Sequence, residues 1–163
     1  MNLEAPLALH TDVVRPEWID YNGHMNLAFF VMAFDFATDA FFDHLGADEA
    51  YRDQTGYSLF LLETHVNYLN QMREGDGMRF ETQLLDYDHK RVHYFHRMYH
   101  AERAYLAATT ELLFVHVDTT QDRSIAIPAP ISNNLAALMD AHRNLERPAE
   151  VGRVMGIRKK NLN

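Results

Sequence analysis

Between Trp18 and Phe30 the chain reads WIDYNGHMNLAFF, which places Asp20, Gly23, His24 and Asn26 directly before an apolar run. Those residue types in that order suit acyl transfer. A helix opening near His24 to Asn26 would present N–H groups without intrahelical acceptors, at the positive end of its dipole. Gly23 lets a ligand approach the backbone closely, and Asp20 would stand beside whatever those amides hold. With Gly23 and His24 as the candidate donors, the backbone would polarise a carbonyl while the Asp20 carboxylate attacks it or activates water. His24 and Asn26 would orient substrate or water. The same stretch also suits a plain turn leading into a helix, because Asp, Asn and Gly are common turn residues.

Other residues invite chemistry and also have simpler uses. Glu63, His65 and Asn67 alternate in LFLLETHVNYL, so on a strand they share one face. A glutamate among so many apolar neighbours is costly to bury alone. It therefore faces a site cavity or pairs with His65 or another strand. His93, His96 and His100 do not make a metal centre, since on a strand His93 faces away from the other two. There is no cysteine and no helical HExxH, and no metal is expected.

The elements that would hold these groups follow from patterning. Residues 8–15 read as a strand ended by Pro16. Asn26 is a natural N-cap for a helix over 27–45, and Gly46 suits its end. Phe29, Phe30, Val31, Met32, Phe34, Phe36, Phe41 and Phe42 leave that helix only a narrow polar stripe of Asp35, Asp39 and Asp43, so protein must surround it. A short helical turn, DEAYRD, follows. Strands are expected over 57–70, 78–87, 91–100 and 104–117, as a meander whose first hairpin turns at Arg73–Gly77. A closing helix over 132–145 would take Ser132 as its cap. The fold class is α+β, one antiparallel sheet wrapped around a long central helix, in a single domain with its core at about 8–118.

The composition narrows the partners. A net charge of -8 and a pI near 5.6 argue against a nucleic-acid binder. The apolar segments are too short or too interrupted to span a membrane, and the N-terminus has neither the basic region nor the apolar core of a signal peptide. A cytoplasmic location is the expectation.

DYNGHMN at 20–26, followed by an apolar helix and a strand series, resembles the hotdog-fold acyl-CoA thioesterases of the hydroxybenzoyl-CoA thioesterase type, over about residues 10–118. In that family an aspartate three residues before a glycine opens the central helix, and Asp20 matches it. VRPEWIDYNGHMN, TDAFFDHLGADEAY, ETHVNYL, HVDTT and ERPAEVGR together look like betainyl-CoA thioesterases of carnitine breakdown and the thioesterase-like domain of some carnitine dehydrogenases. This resemblance implies the hotdog fold and a homodimer or homotetramer with sheets joined edge to edge. It also implies acyl-CoA as substrate, with CoA part of that substrate and no separate cofactor. Asp20 would be nucleophile or general base. A trimethylammonium substrate would be walled by Glu63 with Trp18, Tyr21 or Tyr57, and His65 would join the substrate side. Arg91, Arg97, Arg153, Arg158, Lys159 and Lys160 are candidates for the CoA phosphates. Thr38 stands where many relatives carry an arginine, so that arginine's role does not carry over. Another short-chain or aromatic acyl-CoA, or a silent acyl-CoA-binding subunit, are the competing readings.

Overall fold

The computed structural model describes residues 1–157. The long helix, α1 (Leu27–Leu45), starts and stops where the sequence indicates. The Asn26 side chain accepts from the Ala28 N–H at 2.9 Å, and Gly46 ends the helix in the left-handed conformation at φ 78°. Phe30, Ala33, Phe34, Ala37, Thr38, Phe41, Phe42 and Leu45 are buried, while Asp35, Asp39 and Asp43 stay exposed.

Around α1 curls one antiparallel sheet. Its strands are β1 (Leu7–Val13), β2 (Tyr57–Tyr68), β3 (Gly77–Tyr87), β4 (Arg91–His100), β5 (Leu106–Asp118) and the two-residue β6 (Arg123–Ser124). The lateral order is β1-β3-β4-β5-β2, with β6 on the end of β5. A short helix, α2 (Glu49–Thr55), leads from α1 into β2, and α3 (Ala129–His142) follows the sheet. The core has two lobes along α1. One joins Phe41, Phe42 and Leu45 to Tyr94, Phe114, Leu135 and Leu138. The other joins Phe30, Ala33, Phe34 and Ala37 to Trp18, Met72, Met78 and Phe80.

Two expectations are corrected. The meander holds only for β3, β4 and β5. β2 does not form a hairpin with β3; it crosses the molecule and pairs with β5 from Tyr57↔Asp118 to Tyr68↔Ala108. The Arg73–Gly77 turn does form, with the Asp76 N–H on the Arg73 carbonyl at 3.0 Å and Gly75 at φ 78°, but β3 leaves it to pair with β1. A turn signal reports only its own few residues, whereas pairing is decided by what must be covered. Met72, fully buried beside the start of α1, holds the intervening segment across the helix N-terminus. In α3, Ser132 lies inside the helix rather than capping it. The helix opens after Pro128 with Pro130 in its first turn, where a missing N–H costs nothing.

A buried polar chain ties helix to sheet. Tyr94 donates to Thr38 Oγ1 at 3.2 Å, Thr38 Oγ1 meets His96 Nε2 at 3.2 Å, and His96 Nδ1 meets Thr82 Oγ1 at 2.9 Å. Thr38 thus anchors α1 to the sheet by its hydroxyl. Burial pushes His96 down to about 3, so the imidazole is neutral. Burial also lowers His142, which accepts the Leu84 N–H on Nδ1 at 3.0 Å and donates Nε2–H to the Glu4 carbonyl at 3.1 Å.

A histidine held neutral in the fold but free to charge near 6.5 when unfolded makes the unfolded chain the better proton acceptor. Stability conferred by His96 is complete above about pH 6.5 and falls as the pH drops toward 3. His96→Leu should be less stable than the parent at pH 7.5. Its unfolding free energy from urea denaturation should fall less steeply between pH 6.5 and 4, by up to about 1.4 kcal/mol per pH unit. Parallel lines for the two proteins would contradict the neutral assignment.

Candidate active site

The loop before α1 is a closed, pinned structure. Trp18 and Ile19 lead into it, and the Ile19↔Met25 bridge draws its ends together. Asn26 N–H donates to the Trp18 carbonyl at 2.9 Å, Asp20 N–H to His24 O at 2.9 Å, and Met25 N–H to Met72 O at 2.8 Å. Inside that frame the Gly23 N–H donates to Asp20 O at 3.0 Å, with Gly23 at φ 75°, a conformation that favours glycine. Gly23 is therefore needed for the turn, and its N–H, one of the two expected carbonyl donors, is spent in closing it. The His24 N–H forms no hydrogen bond among the described residues, nor does that of Leu27, the first residue of the helix.

Asp20 is half-buried. Its Oδ1 accepts the Asn22 N–H at 2.7 Å, and Oδ2 accepts nothing among the described residues. One oxygen fixes the carboxylate and the other is free. Asp20, Asn22, His24 and Asn26 line a cleft of about 660 Å³ at the helix N-terminus. Leu27 and Phe30 form its helical side, and Tyr68, Leu69, Asn70 and Gln71 close it from the end of β2. The Tyr68 ring meets Phe30 edge-on at 5.4 Å, and its hydroxyl donates to the Leu27 carbonyl at 3.3 Å. Tyr68, Asn70 and Gln71 went unnoticed in the sequence. Their only signal was the polar end of a strand, and the pairing of β2 with β5 is what brings them to Asp20.

The other expected substrate residues do not gather here within the chain. Trp18 is buried, with Phe29 stacked on it at 5.6 Å and Arg15 over its ring at 4.7 Å, so its faces are occupied. Tyr21 is 97% exposed and lies outside the cleft. Tyr57 packs against His116, at the opposite end of β2 from Tyr68. Glu63 and His65 share a face as expected, but that face lines a separate cavity of about 400 Å³ with His93, Glu111 and Arg153. Glu63 does not pair with His65; instead Glu111 bonds His93 at 2.8 Å. Of the arginines considered for phosphates, Arg91 is held by Asp88 at 2.6 Å, Arg97 lies over Phe95, and Arg153 bonds Asn67. Arg158, Lys159 and Lys160 lie outside the described residues. Among the described residues no cluster of three or more potential metal ligands occurs, and no helix is long and apolar enough to cross a membrane.

Residues 14–135 match the thioesterase-like superfamily. The chain is 40% identical over 151 residues to a Pseudomonas aeruginosa betainyl-CoA thioesterase, covering 93% of this chain and 95% of that one. It is 33% identical over 156 residues to the Rhizobium meliloti L-carnitine dehydrogenase/betainyl-CoA thioesterase, covering 96% of this chain but 31% of that longer protein. Among solved structures, a Staphylococcus aureus protein in complex with CoA superposes with a TM-score of 0.87 at 29% identity, over 97% of this chain and all of that one. A Synechocystis 1,4-dihydroxy-2-naphthoyl-CoA thioesterase shares the fold with a TM-score of 0.70 at 15% identity, over 85% of this chain and 97% of its own. The α+β hotdog architecture inferred from the sequence is the one these structures share.

Two substitutions check the geometry of the loop. Asn26→Ala should cost about 1 kcal/mol in urea denaturation, because the Ala28 N–H loses its acceptor. Tyr21→Ala, removing a ring that stands in water, should leave both stability and thioester turnover unchanged; a large loss of turnover would place Tyr21 at the substrate after all.

Proposed function

The chain belongs to the thioesterase-like superfamily, and from that premise we propose that it hydrolyses a small acyl-CoA, with betainyl-CoA the favoured substrate and Asp20 the reacting carboxylate. The observation that carries this reading is the half-tethered Asp20, with Oδ1 held by Asn22 and Oδ2 free in a cleft at the mouth of α1. The thioester carbonyl oxygen would accept from the unbonded N–H groups of His24 and Leu27, replacing the donor pair expected from sequence. Charge building on that oxygen in the tetrahedral state is met by fixed dipoles at the positive end of the helix.

Two routes use the same geometry. Oδ2 can attack the carbonyl carbon and expel the CoA thiolate, leaving a mixed anhydride that water then opens. Alternatively, Oδ2 takes a proton from water as the water oxygen bonds to that carbon, and the thiolate departs. Either way the acyl group leaves as a carboxylate and CoA as a thiol after protonation.

The preference for betaine is supported by the relatives and by one feature of the cleft. A trimethylammonium group is attracted to aromatic faces, and the aromatic residues lining this cleft are Phe30 and Tyr68. They replace Trp18, Tyr21 and Tyr57 in the expected wall. A second copy is also part of the proposal. The twelve-residue β2 is an edge strand with Phe60, Leu61 and Leu62 each about half exposed, a surface that pairing along β2 would cover.

Thiol release from a panel of acyl-CoAs tests the reading. Asp20→Asn should fold and assemble as the parent does yet lose about a hundredfold or more in kcat/KM; activity within a few-fold of the parent would remove Asp20 from the chemistry. Tyr68→Leu should raise KM for betainyl-CoA more than for an uncharged acyl-CoA of similar size. Equal turnover of cationic and neutral acyl groups by the parent would overturn the preference while leaving the hydrolase.

A further inference from the structure

After α3 the chain crosses the outer face of the sheet, the side turned away from α1. Glu111 lies on that face, since it alternates with Leu112, which packs in the core beneath α1. Gln83 of β3 donates Nε2–H to the Glu146 carbonyl at 3.2 Å, and Pro148 is buried. Gly152 N–H then donates to Glu111 Oε2 on β5 at 2.7 Å, and Arg153 Nη1 to Asn67 Oδ1 on β2 at 3.2 Å. The segment thus passes from β3 toward the free edge that β2 forms. At that edge three apolar side chains stand in water: Val154 is 88% exposed, Met155 85% and Ile157 96%.

Reach decides where they go. Neighbouring strands lie about 4.8 Å apart and an extended chain advances about 3.3 Å per residue. From Gly152 above β5, the chain clears β2 by about residue 154, and Met155 reaches the place a further strand would occupy. Among the outward residues of β2, Phe60 is apolar; it pairs with Val115 and so shares the face of Leu113 and Glu111, as Glu63 and His65 do. Phe60 is 50% exposed.

We propose that Val154–Ile157 form an arm that crosses the edge of the sheet and packs on Phe60 of a second copy paired along β2, while the partner's arm returns the contact. This rests on the edge-to-edge pairing put forward under the proposed function. A two-fold pairing is self-complementary, so one apolar arm and one apolar landing site per chain satisfy both copies. The arm starts from a rigid base, because Glu111 fixes Gly152 with one oxygen and His93 with the other.

The chain has no cysteine, so engineered thiols report without background. Phe60→Cys and Met155→Cys chains, co-expressed and mildly oxidised, should yield a disulfide between position 60 of one chain and position 155 of the other. The product would run at dimer mass without reductant and be identified by peptide mass. In the double variant the same link should again join two chains. A protein dimeric in analytical ultracentrifugation that gives no 60–155 link, or gives it only within one chain, overturns the arm. A monomeric parent overturns the pairing beneath it. As a second readout, Val154→Ser/Met155→Ser/Ile157→Ser should dissociate at a protein concentration at least tenfold higher than the parent, and an unchanged dissociation constant would also overturn the proposal.

Discussion

The enclosure of α1 governs everything else in this molecule. A nineteen-residue helix that buries aromatic and aliphatic side chains along most of its length must be wrapped on several sides. One flat strand pair cannot do that. The sheet curls, β1 and β3 take one flank, and β2 crosses to the other beside β5. The missing β2–β3 hairpin follows from the same need: local turn chemistry at Arg73–Gly77 is satisfied, yet the strand before it is required elsewhere. The site follows too, because that crossing carries Tyr68 to Gln71 past the helix N-terminus and makes a wall where the loop alone would have faced water.

Within this enclosure polar groups divide into two sorts. Several of those deep in the core are paired with one another or with the backbone. Tyr94, Thr38, His96 and Thr82 form a chain in which His96 stays neutral, and His142 accepts an N–H at the β3 bulge while donating to the N-terminal segment. Left unpaired, such groups would each cost about 1–3 kcal/mol. Those at the mouth of α1 are deliberately half-used. Asp20 spends one oxygen and keeps the other, and the His24 and Leu27 amides stay unbonded next to tightly pinned neighbours. Rigidity supplied by Trp18, Met25 and Met72 lets these groups remain unsatisfied without the loop collapsing onto them. In the proposed reaction, groups held in this way would need no reorganisation as charge develops.

Much of this was legible beforehand because some residues act through their nearest neighbours. Asn26 as a cap, Gly46 as a terminator, Asp20 three residues before Gly23, and the separation of His93 from His96 are consequences of helix and strand periods. Misreadings arose where another residue had already claimed the group or the position. Gly23 looked like a donor and is the hinge of the turn. Trp18 looked like a ligand wall and is wedged between Phe29 and Arg15. Ser132 looked like a cap, but two prolines had already opened the helix.

The amino-acid order by itself determined which segments are helix or strand, which helix is buried, and which carboxylate stands at that helix's mouth, because these depend on contacts within a few residues along the chain. Strand order, the residues facing Asp20 from the end of β2, the two amides left free, and the placement of Glu63 on the opposite face of the sheet were decided only in three dimensions. They are settled by competition among distant apolar surfaces for the same helix, and no local pattern records who wins.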